Sequence, residues 1–290
     1  MKKQKNNKYR NLFLIISILG AISFQSCIIN SNDDDNVNNN QYEAKEAFYY
    51  EVPDIGFNTL QVNAINGNIE VVAVAQIDTI IIQGERIVKS ESIADAEDHL
   101  PLLQVIIDQS SQTLKIRTEQ PSPANGRNYQ VDYEIQIPAD WVQDLEQANG
   151  NIISSGAQES IEIHSTNGNV IVNNCQTDVE AVLTNGNITI TNVTGSVFAY
   201  LTNGNIISQI VLPEGGECEH TTTNGNIQLS IPDTTSAIFS ATTVNGSVSI
   251  SNLNLQNPQI SQKSVSGTLG TGQGRIALES VNGIITATGY

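Results

Sequence analysis

Positive charge is nearly missing from the second half of this chain: between residues 141 and 290 only Lys263 and Arg275 carry it. A polysaccharide lyase needs a base beside cations that neutralise a uronate, and this stretch offers almost none. Nucleic acid is equally excluded as a partner, because so acidic a surface repels phosphate backbones. Histidine is scarce as well. His99, His164 and His220 share no metal-ligand spacing, and nothing resembles a zinc motif, a phosphate loop or a serine nucleophile elbow. Aromatic residues make up only 5% of the 290 residues, so the core must be built from Ile, Val, Leu and Ala. Such a composition suits layered β packing.

The N-terminus stands apart from this body. Lys2, Lys3, Lys5, Lys8 and Arg10 form a basic head before the apolar run "LFLIISILGAISF" at 12–24, which is too short for a comfortable bilayer span and reads as an export signal. It ends in "FQSC" at Cys27, followed by the polar run "NSNDDDNVNNNQ". The segment resembles a bacterial lipoprotein signal, with residues 1–26 removed and lipid carried on Cys27. Ser26 fits the small residue before the cysteine; Phe24 and Gln25 depart from the strictest pattern, which is met more loosely in Bacteroidota. Asp33, Asp34 and Asp35 resemble the acidic export tag of surface lipoproteins in that phylum, or else belong to a solvated tether spanning 27–41. Without the signal, 8 basic residues face 30 acidic ones, a net charge of −22. Acidic lipid head groups are then poor partners, leaving an acylated Cys27 as the membrane attachment.

Residues 42–140 alternate strand-like runs with turn clusters, and "SESIADAEDHL" at 90–100 reads as one short helix, with Ser90 as its cap and Pro101 closing it. From 141 to 290 the chain repeats. Asn149-Gly150, Asn167-Gly168, Asn185-Gly186 and Asn203-Gly204 are spaced 18 residues apart; Asn224-Gly225, Asn245-Gly246 and a Ser266-Gly267 equivalent follow at 21, and Asn282-Gly283 comes 16 later. An earlier copy, "INGNIEV" at 65–71, begins the globular region.

Asn-Gly accepts the positive φ of a tight turn, which suits a hairpin or a solenoid corner equally. The columns decide. Three residues after each Asn lie Ile152, Val170, Ile188, Ile206, Ile227 and Val248, and five after lie Val172, Ile190, Leu229 and Ile250, with Ser154 and Ser208 as exceptions. The same letters recur at the same phase, as they do when equivalent positions stack about 4.8 Å apart. The expectation is an all-β parallel solenoid with Asn-Gly corners, its open ends covered by the N-terminal strands and the C-terminal "GIITATGY", or by self-association.

These repeats resemble those of the DUF4097 family of candidate adhesins, β-strand-repeat proteins of bacterial envelopes, and the related head-domain candidate adhesins. The resemblance rests on "INGNIEV", on "YEIQIPADWVQDLEQANGNIISSG" and on the four "TNGN" copies, covering roughly residues 50–289. It implies a fold more firmly than a function.

Cys175 falls in the column of Val193 and Val211, and Cys218 in that of Ile161, Val179, Val197 and Phe239, so both read as buried thiols about two rungs apart. His220 occupies an inward column with Ile163, Ala181, Ala199 and Ala241. Glu162 and Glu180 share an outward column; stacked like charges describe a solvated face, or at most a weak calcium site. Phe198 and Tyr200 are outward aromatics beside Thr-rich columns, a surface for sugar rings or a partner protein unless another segment covers them. The sequence thus points to a lipid-anchored, surface-exposed outer-membrane protein whose non-catalytic solenoid serves adhesion or scaffolding, requiring no cofactor. A periplasm-facing structural or signalling component and a glycan-active β-helix enzyme are the rival readings.

Overall fold

The computed structural model describes residues 40–290; the signal segment, Cys27 and Asp33, Asp34 and Asp35 lie outside the described residues. Among the described residues no helix is long and apolar enough to cross a membrane.

The chain opens with β1 (Tyr42–Pro53), β2 (Thr59–Asn66), β3 (Ile69–Val74) and β4 (Thr79–Ser90), then α1 (Ile93–His99) and a 3-10 turn at Leu100–Leu102. Three further strands follow: β5 (Gln104–Ser110), β6 (Thr113–Glu119) and β7 (Asn128–Pro138). The helix N-cap is Ser92, whose hydroxyl accepts from the Asp95 N–H, rather than Ser90. Ser90 remains in β4 and donates its hydroxyl to the Asp95 carboxylate. Arg127 grips the same carboxylate through two N–H groups at 2.6 and 2.7 Å, holding Asp95 well below the usual carboxylate range and tying the helix to the loop before β7.

Regular rungs follow, each a strand, an Asn-Gly corner and a second strand. They are β8 (Val142–Asn149) with β9 (Ile152–Ser155), β10 (Ile161–Asn167) with β11 (Val170–Asn173), and β12 (Val179–Asn185) with β13 (Ile188–Thr194). Next come β14 (Val197–Asn203) with β15 (Ile206–Val211), β16 (Glu217–Asn224) with β17 (Ile227–Ile231), and β18 (Ala237–Asn245) with β19 (Val248–Ser251). A hairpin of β20 (Leu255–Ile260) and β21 (Ser264–Leu269) precedes the last rung, β22 (Gly274–Asn282) with β23 (Ile285–Gly289). Strands before the corners lie in a twelve-stranded sheet and strands after them in an eleven-stranded sheet. Between the two lies a filling of Ile, Val, Leu and Ala.

The early copy at Asn66 is a full rung: β2 pairs in parallel with β8 and β3 with β9, across the intervening excursion. That excursion closes the N-terminal end. β6 and β5 extend one sheet, β7, β4 and β1 the other, and Phe57 packs edge-on against Trp141 with ring centroids 5.8 Å apart.

The rung order corrects the sequence reading. The final rung does not follow Asn245 but inserts before it: β22 lies between β16 and β18, and β23 between β17 and β19. Hence "GIITATGY" is interior and caps nothing. Ser266-Gly267 is no corner either, since β21 runs antiparallel to β18 and occupies its outer edge. With that edge taken, the last rung has its place on the inner side.

Two amide ladders run along the corners. Each Asn before a corner Gly donates its Nδ2 to the Oδ1 of the preceding rung, in seven successive bonds of 2.7–2.9 Å from Asn149 on Asn66 through to Asn245 on Asn282. Asn66 itself donates to the Tyr129 carbonyl. In the second ladder the Oδ1 of Asn68, Asn151, Asn169 and Asn187 accepts the backbone N–H and the side-chain amide of the next rung's Asn. Its donor end, Asn68, is received by the Asp132 carboxylate at 2.7 Å, where a full negative charge complements aligned N–H groups. Asn185→Asp places a carboxylate against the Asn167 Oδ1 that the amide now donates to. A loss of about 1–2 kcal/mol is expected in denaturant unfolding, larger than for a surface substitution off the ladder.

Candidate functional surface

Cys175, Cys218 and His220 are sealed inside. Cys175 and Cys218 are free, buried thiols. Desolvation raises both, so neither is a ready thiolate. The column assignment of Cys175 needs one correction. A bulge set by Asn192, at φ 55, shifts the register so that Ile210, not Val211, stands opposite Val193; Val211 points outward.

The two polar exceptions in the inward columns each meet a polar partner. Ser154 Oγ donates to Gln143 Oε1 at 2.7 Å, and Ser208 Oγ lies 2.7 Å from His220 Nε2. The Cys218 sulfur sits 3.7 Å from the same nitrogen. This Ser–His–Cys contact contains the residue types of a nucleophilic dyad, yet Ser208, Cys218 and His220 are all buried, and no substrate can reach them. Burial pushes the His220 imidazole down to about 4, so it is neutral at physiological pH.

Outward, the twelve-stranded sheet brings the sequence-selected residues onto one face. Asp144, Glu162, Glu180, Phe198 and Glu219 follow one another along a single column. Beside it run Glu146, His164, Val182, Tyr200 and Thr221. Phe198 and Tyr200 are partly exposed. The Tyr200 hydroxyl donates to Glu219 Oε1 at 3.3 Å, and partial burial, then the Glu219 charge, raises its phenol. Among the described residues no group of three or more His, Cys, Asp or Glu is arranged to hold a metal ion.

The eleven-stranded sheet carries a surface that the sequence reading passed over. A shallow groove of about 480 Å³ runs across four rungs between the second Asn ladder and an outward column of Ile153, Ile171, Thr189 and Ile207. The signal was present four residues after each corner Asn, where three of these four positions are isoleucine. No charged residue lines this groove, so it is neutral and partly aliphatic, in contrast to the acidic columns with two aromatics on the other face.

A family model for Toastrack DUF4097 matches residues 44–288. The chain therefore belongs to the DUF4097 family. Among solved structures it is similar to a candidate cell adhesion protein from Clostridium sporogenes, at 10% identity and a TM-score of 0.35, covering 85% of this chain and 100% of that one. A candidate adhesin from Bacteroides fragilis gives 14% identity and 0.33, covering 85% and 98%. A candidate lipid-binding protein from Parabacteroides distasonis gives 12% and 0.29, covering 83% and 96%. Comparison with the curated proteins gives no match.

Proposed function

We propose that this is a lipid-anchored protein of the bacterial outer membrane, exposed at the cell surface, whose solenoid is a non-enzymatic adhesion or scaffold surface. The observation that carries this reading is the division between inside and outside. The Ser–His–Cys contact is closed off within the core, while the outward faces offer regular columns of Glu, Thr, Asn and Ile with Phe198 and Tyr200 on the acidic one. Such surfaces suit contact with a glycan or a protein rather than turnover. Anchoring rests on the "FQSC" signal and Cys27, with Asp33, Asp34 and Asp35 as the export tag.

Protease shaving of intact cells tests the location. Loss of the chain while a periplasmic control survives is expected, and Phe198→Ser with Tyr200→Ser should lower adherence at unchanged surface level. Protection until the outer membrane is permeabilised would remove the adhesion reading in favour of a periplasm-facing component.

A further inference from the structure

The two ends of the stack are finished differently. At the N-terminal end the excursion covers the filling, and Leu114, Ile116, Val131, Ile80 and Ile82 are all buried there. At the other end the twelve-stranded sheet is extended by the β20–β21 hairpin, but the eleven-stranded sheet stops at β19, which pairs only with β23. Val248 and Ile250 of β19 occupy inward columns whose members on every described earlier rung are buried, yet both are partly exposed. The filling is open on that side.

The corner hydrogen bonds end there too. On each of the other seven corners the Gly N–H donates to the next rung's Asn carbonyl; Gly246 has no such acceptor, and the Asn245 Oδ1 accepts no bond from a further rung. Around this corner the residues turn apolar. Val244 is 55% exposed, Val281 41%, Ile284 49% and Ile260 72%. Equivalent corner positions on the four rungs from Asn167 to Asn224 hold Thr166, Thr184, Thr202 and Thr223, or the Asn of the second ladder; the first two rungs carry Ile65 and Ala148. Ile260 is brought in by the hairpin turn, whose Gln262 carbonyl accepts the Val248 N–H at 2.9 Å.

Charge singles out the same end. Residues 234–290 contain only three charged side chains, Lys263, Arg275 and Glu279, and Arg275 is turned onto Glu219 at 3.1 Å. A second copy of so acidic a chain is repelled along most of the surface, and is repelled least where the carboxylates run out.

We propose that this C-terminal tip is a self-association site, at which a second copy of the chain docks tip to tip. Val244, Val281, Ile284 and Ile260 form the apolar contact, and about a two-fold axis each copy covers the partly exposed Val248 and Ile250 of the other. The arrangement holds the two acidic bodies as far apart as the fold allows. It stands independently of lipid attachment and of any ligand on the faces.

Residues 40–290 are the material for the test, since all described strands pair within that segment. Sedimentation velocity should show a monomer–dimer equilibrium, with dimer rising with protein concentration and with added salt, because screening weakens the repulsion of the bodies. Val244→Lys combined with Ile284→Lys, both at exposed positions, should weaken dimerisation at least tenfold while circular dichroism stays unchanged, and Ile207→Lys in the groove should leave it intact. A wild-type chain that remains monomeric into the millimolar range overturns the proposal. So does a dimer that Ile207→Lys abolishes and the tip pair does not, or one that salt dissociates.

Discussion

Gly186→Ala is expected to cost about 4 kcal/mol or more, enough to leave little folded protein, and denaturant unfolding with circular dichroism would read it directly. Gly186 sits at φ 137, which an L-residue rarely adopts, but conformational strain is the smaller part. A Cβ built at this position meets the Gly168 carbonyl oxygen at less than half the ordinary van der Waals separation. That oxygen belongs to the backbone of the preceding rung, so no rotamer change relieves the clash. The two rungs must part, and parting them strains the Gly168 N–H bond to the Asn185 carbonyl at 3.0 Å and the Asn185 side-chain bond to Asn167 at 2.9 Å.

Gly215→Ala provides the comparison: its φ of 75 is also positive, but nothing lies within 4 Å of the added carbon. A cost near 1 kcal/mol is expected there, from conformation alone. Equal losses in the two variants would show that glycine is required at the corners for its φ and not for the stacking.

The same corner explains how much was legible beforehand. Stacked rungs put like residues on like, so the recurrence of Asn, Gly and Ile at fixed phase revealed the architecture, and the inward set from Ile152 to Leu229 follows from alternation alone. Rung order did not follow. The rungs of Asn224, Asn245 and Asn282 present the same columns, and Asn245 could bond to Asn224 as readily as it does to Asn282. What separates the two orders is the antiparallel pairing of β21 on β18, a long-range choice with no repeat signature. Ser90 failed as a cap for a local reason: two serines precede the helix, and Ser92 stands three residues before the N–H it receives.

On the surface, Phe198 and Tyr200 stood out because aromatics are rare, whereas Ile153, Ile171 and Ile207 were hidden by their chemistry. An isoleucine column looks like core in a sequence, and only the alternation phase places it outside. The serine exceptions in the inward columns were visible but unexplained until the opposite strand supplied Gln143 and His220.

His220 gives the second large effect. Its imidazole is held neutral by burial and titrates near 4 in the folded chain, against 6.5 when unfolded. The folded pKa is depressed, so between these values the unfolded chain binds more protons, and stability falls as pH falls. Its contribution is fully present above pH 6.5, is lost progressively below it, and amounts to about 3 kcal/mol by pH 4. Carboxylates titrate across part of the same window, so one acid unfolding curve does not isolate the histidine.

Ser208→Ile combined with His220→Ala does isolate it. Equivalent positions on the two preceding rungs hold Ile190 with Ala199 and Val172 with Ala181, all buried, so the double variant repeats a packing that the solenoid already uses. Its stability should decline less between pH 6.5 and 4, by about the 3 kcal/mol assigned to His220. His220→Ala alone leaves both a cavity and a buried hydroxyl without its partner, and should be less stable than either at neutral pH, by about 2–4 kcal/mol. If wild type and double variant lose stability in parallel as the pH drops, His220 is protonated inside the fold and the polar contact with Ser208 accommodates the charge. A parallel decline would also mean that water reaches the filling, and the open side at β19 would then be the route to examine.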